Sequence, residues 1–218
     1  MVKRSETNST RDCVQRLRCR RSQLLRARFG EWIRQLTIPT PASFPGPWIR
    51  LDPAALYLTF NYTPTLQRLY GIPEAHVLHI HGSAAKSEDQ LVLGHGWEPG
   101  LADPYRFESD PENADMRVIE GIEIVDGYFK DTFKPTVRII EAYRQNFAAL
   151  ADVTDIIVMG HSLAEVDHPY FEAIIAKIDI RKVRWRVSVY GDLDYKTNCM
   201  SGFGIAPHLV HFGCLSEL

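Results

Sequence analysis

Three apolar segments of the sequence each end in a short polar loop, and this arrangement constrains the fold more than any other feature. The segments at 55–60, 77–81 and 155–159 have the composition of buried strands. Amphipathic helical spacing is present at 64–70, 136–150 and 169–180. The alternation of strands and helices predicts an α/β, Rossmann-like fold, with a mainly parallel sheet and helices on both of its faces.

Shorter segments complete the predicted sheet, and one long loop interrupts it. Further strands are predicted at 91–93, 183–190 and 209–212. Residues 101–116 combine prolines and acids with few aliphatic residues, which is typical of a surface loop. Loops of this length often act as lids over a binding site.

The chain is predicted to have three parts. Residues 1–37 form a basic amphipathic helical segment, residues 38–53 a proline-rich connector, and residues 54–218 an α/β domain. We interpret the basic charge as a solvated helix face, because the apolar residues between its arginines follow helical spacing. A nucleic-acid arm and a transit peptide are the alternatives.

Charge and cysteine usage restrict the partners and the compartment. The net charge of −2 gives no reason to expect nucleic acid or an anionic membrane as a partner. The four cysteines contain no C-x-x-C pair, and no secretory segment precedes them, so we expect reduced thiols in a cytoplasmic protein. No run approaches the roughly 20 apolar residues that a membrane span requires.

Polar residues follow each predicted strand where ligands bind in open α/β sheets, at the carboxyl ends. Asn61, His81 and Ser162 are therefore expected to line one cleft. Each residue also has a structural interpretation. Asn61 can cap the helix that follows it, His81 can be a partly buried structural histidine, and Ser162 can shape a tight turn.

Motifs in these loops, taken together and in this order, resemble the bacteriophage abortive-infection AbiH family. They are TFNYTPTLQRLYG (59–71), HVLHIHGS with LVLGHG following (76–83 and 91–96), IIVMGHSLAEVDHPYF (156–171) and the W-x-V-S-V-Y strand (185–190). The resemblance implies a role in phage defence, and partners that include a phage-derived trigger or a second copy of the chain.

The AbiH family is in turn similar to sirtuin-type NAD-binding proteins. The resemblance therefore implies that the α/β domain at 54–218 is sirtuin-like, with NAD as cofactor and an NAD glycohydrolase-like activity. By position, Asn61 would hold the nicotinamide ribose or the attacking water, and His81 would act as general base. Gly160 and Ser162 would contact phosphate or the adenosine ribose. The full set that the resemblance implies for cofactor binding is Thr59, Gly82, Gly160, Ser162 and Asp167.

One departure from the family leaves the activity open. The family begins with a strand and a Gly-Asn-Gly-Phe-Asp loop, and no such segment precedes the connector here, so the first strand is expected to be missing. The two G-x-G sequences, at 94–96 and 202–204, are interpreted as plain turns. A non-catalytic remnant that binds nucleotide or another protein is the first alternative function.

Two hydrolases are the remaining alternatives. Val-Met-Gly-His-Ser-Leu-Ala resembles a nucleophile elbow, which would make Ser162 the nucleophile, with an Asp at 192 or 194 and a His at 208 or 211. A metal hydrolase could use His79 and His81, which share one face of a strand, although no metal site is assigned.

Overall fold

The computed structural model describes residues 24–43, 49–86, 91–96, 126–127, 129–130 and 132–217. The chain forms two compact units. Unit 1 comprises Met1–Phe44 and Pro53–Lys134, and unit 2 comprises Pro45–Asp52 and Pro135–Leu218. The predicted loop at 101–116 and the first part of the basic segment lie outside the described residues, and the predicted boundaries at 37 and 53 stay predictions.

The described residues of unit 1 include two continuous helices and a two-stranded parallel sheet. Helix α1 covers residues 24–35. The sheet pairs β1 (Tyr57–Thr59) with β2 (Val77–His79), and α2 (Thr65–Tyr70) lies between them in sequence. Gly71 caps the carboxyl end of α2, and its positive φ of 69° suits glycine because glycine has no Cβ. Short 3₁₀ turns occur at Pro41–Ser43 and Glu74–His76.

Unit 2 is a three-stranded parallel sheet, in the order β3-β4-β5, with helices between the strands. The strands are β3 (Asp155–Val158), β4 (Arg184–Ser188) and β5 (Val210–Gly213). The helices are α3 (Thr136–Ala142), α4 (Arg144–Ala148), α5 (His168–Ile175) and α6 (Leu193–Gly202). Further 3₁₀ turns occur at Glu165–Asp167 and Pro207–Leu209. Burial of large side chains holds this unit together, chiefly Phe147, Leu163, Tyr170, Trp185, Val187 and Met200.

The predicted α/β class with parallel strands is confirmed, and the described strands are divided between two sheets. Two element predictions were wrong, because residues 91–93 form no strand and the helix predicted at 136–150 is divided at Tyr143. Helix α6 was not predicted. No helix in the described part of the chain is long and apolar enough to cross a membrane.

Candidate functional site

In unit 1, polar side chains at the ends of β1 and β2 hold the FNYT loop in place. Thr59 pairs with His79 across the sheet, and its Oγ1 accepts a hydrogen bond from the Asn61 backbone N–H at 3.1 Å. His79 Nδ1 donates to the Asn61 backbone carbonyl at 2.8 Å. Gln67 Nε2 then donates to His79 Nε2 at 3.0 Å, which fixes the tautomer of this buried imidazole.

His81, two residues after His79, lies among aromatic side chains. Its side chain is buried, the residue being only 3% exposed, and its ring meets Phe60 edge-on with centroids 5.3 Å apart. The Tyr62 ring lies 6.3 Å away, and the Tyr62 hydroxyl donates to the Val92 carbonyl. Gly82, at φ 83°, turns the chain immediately after His81. The structure therefore gives His81 little direct contact with solvent.

Asn61 itself is exposed, and it does not cap the following helix. The N-cap of α2 is Pro64, and no side chain makes a capping hydrogen bond there. The helix-capping interpretation of Asn61 is thus wrong. Its backbone is fixed by Thr59 and His79, while its side-chain amide lies at the surface of unit 1.

Unit 2 contains an open pocket of about 390 Å³, where β3 and β4 end at their carboxyl sides. We call it the GHS pocket, and it is lined by Gly160, His161, Ser162, Ser188, Tyr190, Asp192, Tyr195 and Lys196. Adjacent parallel strands that end side by side form the usual ligand crevice of an α/β sheet.

The turn that carries Gly160 and Ser162 is held by hydrogen bonds from three neighbouring elements. Gly160, at φ 62°, donates its N–H to Ser188 Oγ at 2.7 Å. Leu163 is fully buried and adopts φ 61°, a conformation that costs a non-glycine residue about 1–2 kcal/mol. Its carbonyl oxygen accepts hydrogen bonds from His168 Nε2 and the Tyr195 hydroxyl, both at 2.9 Å. The Cys199 thiol lies 3.9 Å from the same oxygen.

Asp167 lies beside His161 in this turn. His161 Nδ1 accepts from the Leu163 N–H at 2.9 Å, so the neutral ring carries its proton on Nε2. That nitrogen lies 3.5 Å from Asp167 Oδ2, with both side chains 12% exposed. Phe171 packs edge-on against the imidazole. Asp167 therefore orients His161, and it is not among the residues that line the GHS pocket.

Sequence reasoning missed Lys196, whose ammonium group bridges the two loops of the GHS pocket. Its Nζ donates to the carbonyl oxygens of His161 at 2.6 Å and Ser188 at 3.0 Å. The residue is only 6% exposed, and burial lowers the pKa of its ammonium from the usual 10.5. Two cap signals, Asp192 before the helix and Gly204 after it, could have revealed the helix that carries Lys196.

The predicted site residues are thus divided between the units. Unit 1 brings Thr59, Asn61, His81 and Gly82 together, and unit 2 does the same for Gly160, Ser162 and Asp167. The single cleft expected for Asn61, His81 and Ser162 stays a prediction.

A scan against protein-family models matches residues 3–189 to Bacteriophage abortive infection AbiH. The chain belongs to the AbiH family. No curated protein and no solved structure matches the chain. The matched residues include both groups of site residues, and AbiH membership implies a role in abortive infection of phage. Lys196 and α6 lie beyond the matched range.

Within this AbiH chain, the positions of the histidines do not support a serine hydrolase. Ser162 follows β3, at the carboxyl end of the parallel sheet, whereas His208 precedes β5, at the amino end. His211 lies within β5, paired with Arg186 of β4. A general base must lie within hydrogen-bond reach of the proton that it removes, and neither histidine follows a strand at the carboxyl end.

A metal centre finds no support in the described part of this AbiH chain. That part contains no group of three or more His, Cys, Asp or Glu residues placed to hold a metal ion. Both ring nitrogens of His79, the first histidine of the HIH sequence, form hydrogen bonds with protein groups.

Proposed function

We propose that this AbiH protein serves abortive infection as an NAD-cleaving protein, and that the GHS pocket binds NAD. The observation that supports NAD binding is the placement of the pocket at the carboxyl ends of two adjacent parallel strands. The exposed Gly160 and Ser162 lie on a turn that is already rigid, so a ligand does not have to order it.

The chemistry of the pocket lining supports a nucleotide. The Tyr190 side chain is fully exposed and offers an aromatic face on which a base can stack. The Asp192 carboxylate, which caps α6 by accepting from the Tyr195 N–H, has further acceptor capacity for ribose hydroxyl groups. Ser162 can donate to a phosphate oxygen.

For the cleavage step, the AbiH resemblance implies roles for Asn61 and His81, both in unit 1. Water attacks the ribose carbon, a C–O bond forms, and the bond from that carbon to the nicotinamide nitrogen breaks. The electron pair of the broken bond neutralises the nicotinamide ring, which leaves without needing a proton. By that resemblance, the proton that the water loses goes to His81, and Asn61 positions the ribose or the water.

Binding is tested with Ser162→Ala, measured by calorimetry with NAD and by the rate of nicotinamide release. We expect KM to rise by about tenfold with little change in kcat, because a binding contact is lost and the reacting groups are not. Ser201→Ala removes an exposed serine from α6 and should leave both values unchanged. A loss of nearly all kcat, together with lost ester hydrolysis, would instead identify Ser162 as a nucleophile.

Cleavage is tested with His81→Ala and with its control His208→Ala, which removes an exposed histidine from the opposite end of the sheet in unit 2. We expect the His81 variant to release nicotinamide about 100-fold more slowly while it still binds NAD. Circular dichroism checks that the variant is folded. An unchanged rate in the folded variant excludes His81 as the base.

A second candidate function, nucleotide binding without cleavage, is favoured by the burial of His81 within an aromatic cluster. It predicts that the wild-type protein binds NAD and releases no nicotinamide. The same two measurements therefore distinguish the candidates.

A further inference from the structure

The ammonium group of Lys196 is buried without a negatively charged partner in the described part of the chain. It donates hydrogen bonds to the carbonyl oxygens of His161 and Ser188, which are both neutral acceptors. The Asp192 carboxylate, which also lines the pocket, accepts a hydrogen bond from the Tyr195 backbone N–H. A buried charge is costly unless it is paired, so this arrangement requires a physical explanation.

The position of Lys196 supplies that explanation. An ammonium group has three protons to donate, and the two carbonyl oxygens use two of them. Lys196 also lines the open GHS pocket, together with Gly160 and Ser162. An anion in the pocket can accept the third hydrogen bond, and such charge-assisted bonds are about twice as strong as neutral ones.

We propose that Lys196 binds a phosphate group of the ligand in the GHS pocket, and that this phosphate is the counter-ion which the described part of the chain does not provide. Phosphate fits because the pocket also offers the Ser162 hydroxyl as a neutral donor. The inference deepens the proposed NAD function and rests on it for the identity of the ligand. The phosphate could belong to a dinucleotide or to free pyrophosphate.

Two substitutions at Lys196 test the role of its charge. Lys196→Gln keeps an N–H donor for the carbonyl oxygens but removes the charge, whereas Lys196→Arg keeps the charge. Lys177→Met, at an exposed lysine just after α5, is the control for net charge. Calorimetry with NAD and with pyrophosphate should show about tenfold or greater weakening for Lys196→Gln only.

The outcomes separate the inference from the proposed function. If the wild-type protein binds pyrophosphate through Lys196 but does not bind NAD, the phosphate site stands and the NAD proposal fails. If NAD binds equally well to the wild type and to folded Lys196→Gln, the phosphate site is wrong and the NAD proposal stands. If the wild-type protein binds neither NAD nor pyrophosphate, both the phosphate site and the NAD proposal are wrong.

A crystal structure covers the case in which the Lys196 variants do not fold. Wild-type crystals soaked with pyrophosphate should place a phosphate oxygen within hydrogen-bond distance of Lys196 Nζ. Pyrophosphate density elsewhere, or no density at all, would overturn the inference.

Discussion

At the scale of single residues, two histidines that are two positions apart have different environments. His79 joins the Asn61 carbonyl to Gln67 through both of its ring nitrogens, whereas His81 packs between aromatic rings. The sequence could identify both as residues near a strand end. It could not distinguish their roles, because the partner of each imidazole is set by residues distant in sequence.

His79→Ala is expected to lower the free energy of unfolding by about 2–3 kcal/mol, because it leaves the Asn61 carbonyl and the Gln67 amide without their partner. Urea denaturation measures the change. His208→Ala, at an exposed position, should cost little by comparison. Equal costs for the two variants would show that the His79 bridge contributes nothing specific.

A pH dependence follows from Lys196. Because burial lowers its pKa below 10.5, the group loses its proton at a pH where exposed lysines remain charged. NAD affinity should therefore fall as the pH rises through this lowered pKa. Over the interval between the folded and unfolded pKa values, the unfolded chain binds more protons, so stability without ligand should rise with pH.

Calorimetric titrations at a series of pH values check this prediction. Lys177→Met should show the wild-type profile, and Lys196→Arg should show no fall, because a guanidinium keeps its charge throughout the range. A wild-type affinity that stays constant up to pH 10.5 contradicts the prediction.

At the scale of elements, the pattern of apolar residues predicted all five strands that the structure describes. It did not predict the features that depend on hydrogen bonding or on weakly apolar sequence. Residues 91–93 have the composition of a strand, yet Val92 donates to the His81 carbonyl and its own carbonyl accepts from the Tyr62 hydroxyl. A break at Tyr143 leaves the apolar spacing of the flanking helices unchanged, so periodicity cannot detect it. Helix α6 was missed because its sequence, LDYKTNCMSG, has little apolar periodicity.

Gly160, which begins the turn that carries Ser162, gives a test of backbone strain. Gly160→Ala should lower stability by about 1–2 kcal/mol, because φ 62° is costly for alanine while no atom lies within 4 Å of the new Cβ. Gly202→Ala also meets no atom within 4 Å, but Gly202 is the last residue of helix α6. It should raise stability by about 0.5 kcal/mol. The two variants are compared by their thermal unfolding temperatures. A change of the same sign in both variants would contradict the strain argument.

At the scale of the whole molecule, the AbiH match defines what a cellular experiment should show. The family implies abortive infection, in which infected cells die and phage production falls. The α/β class could be predicted from the sequence because strand and helix periods differ. The division into two units could not, because it depends on contacts between distant segments.

Expression in a phage-sensitive bacterium should reduce the number of plaques without improving the survival of infected cells. Under the proposed function, Ser162→Ala and Lys196→Gln should restore plaque formation, and Ser201→Ala should not. Plaque counts and survival at high phage input measure the two effects. Improved survival of infected cells would contradict an abortive mechanism.

The hydrogen bonds around the Leu163 carbonyl have a calorimetric consequence. Since His168, Tyr195 and the ordered Gly160 N–H already fix the turn, ligand binding does not have to fold a segment of the chain. Coupled folding would show as a large negative change in heat capacity, because it removes extensive apolar surface from water. Binding at the GHS pocket should therefore show only a small heat-capacity change, and its enthalpy should vary little with temperature.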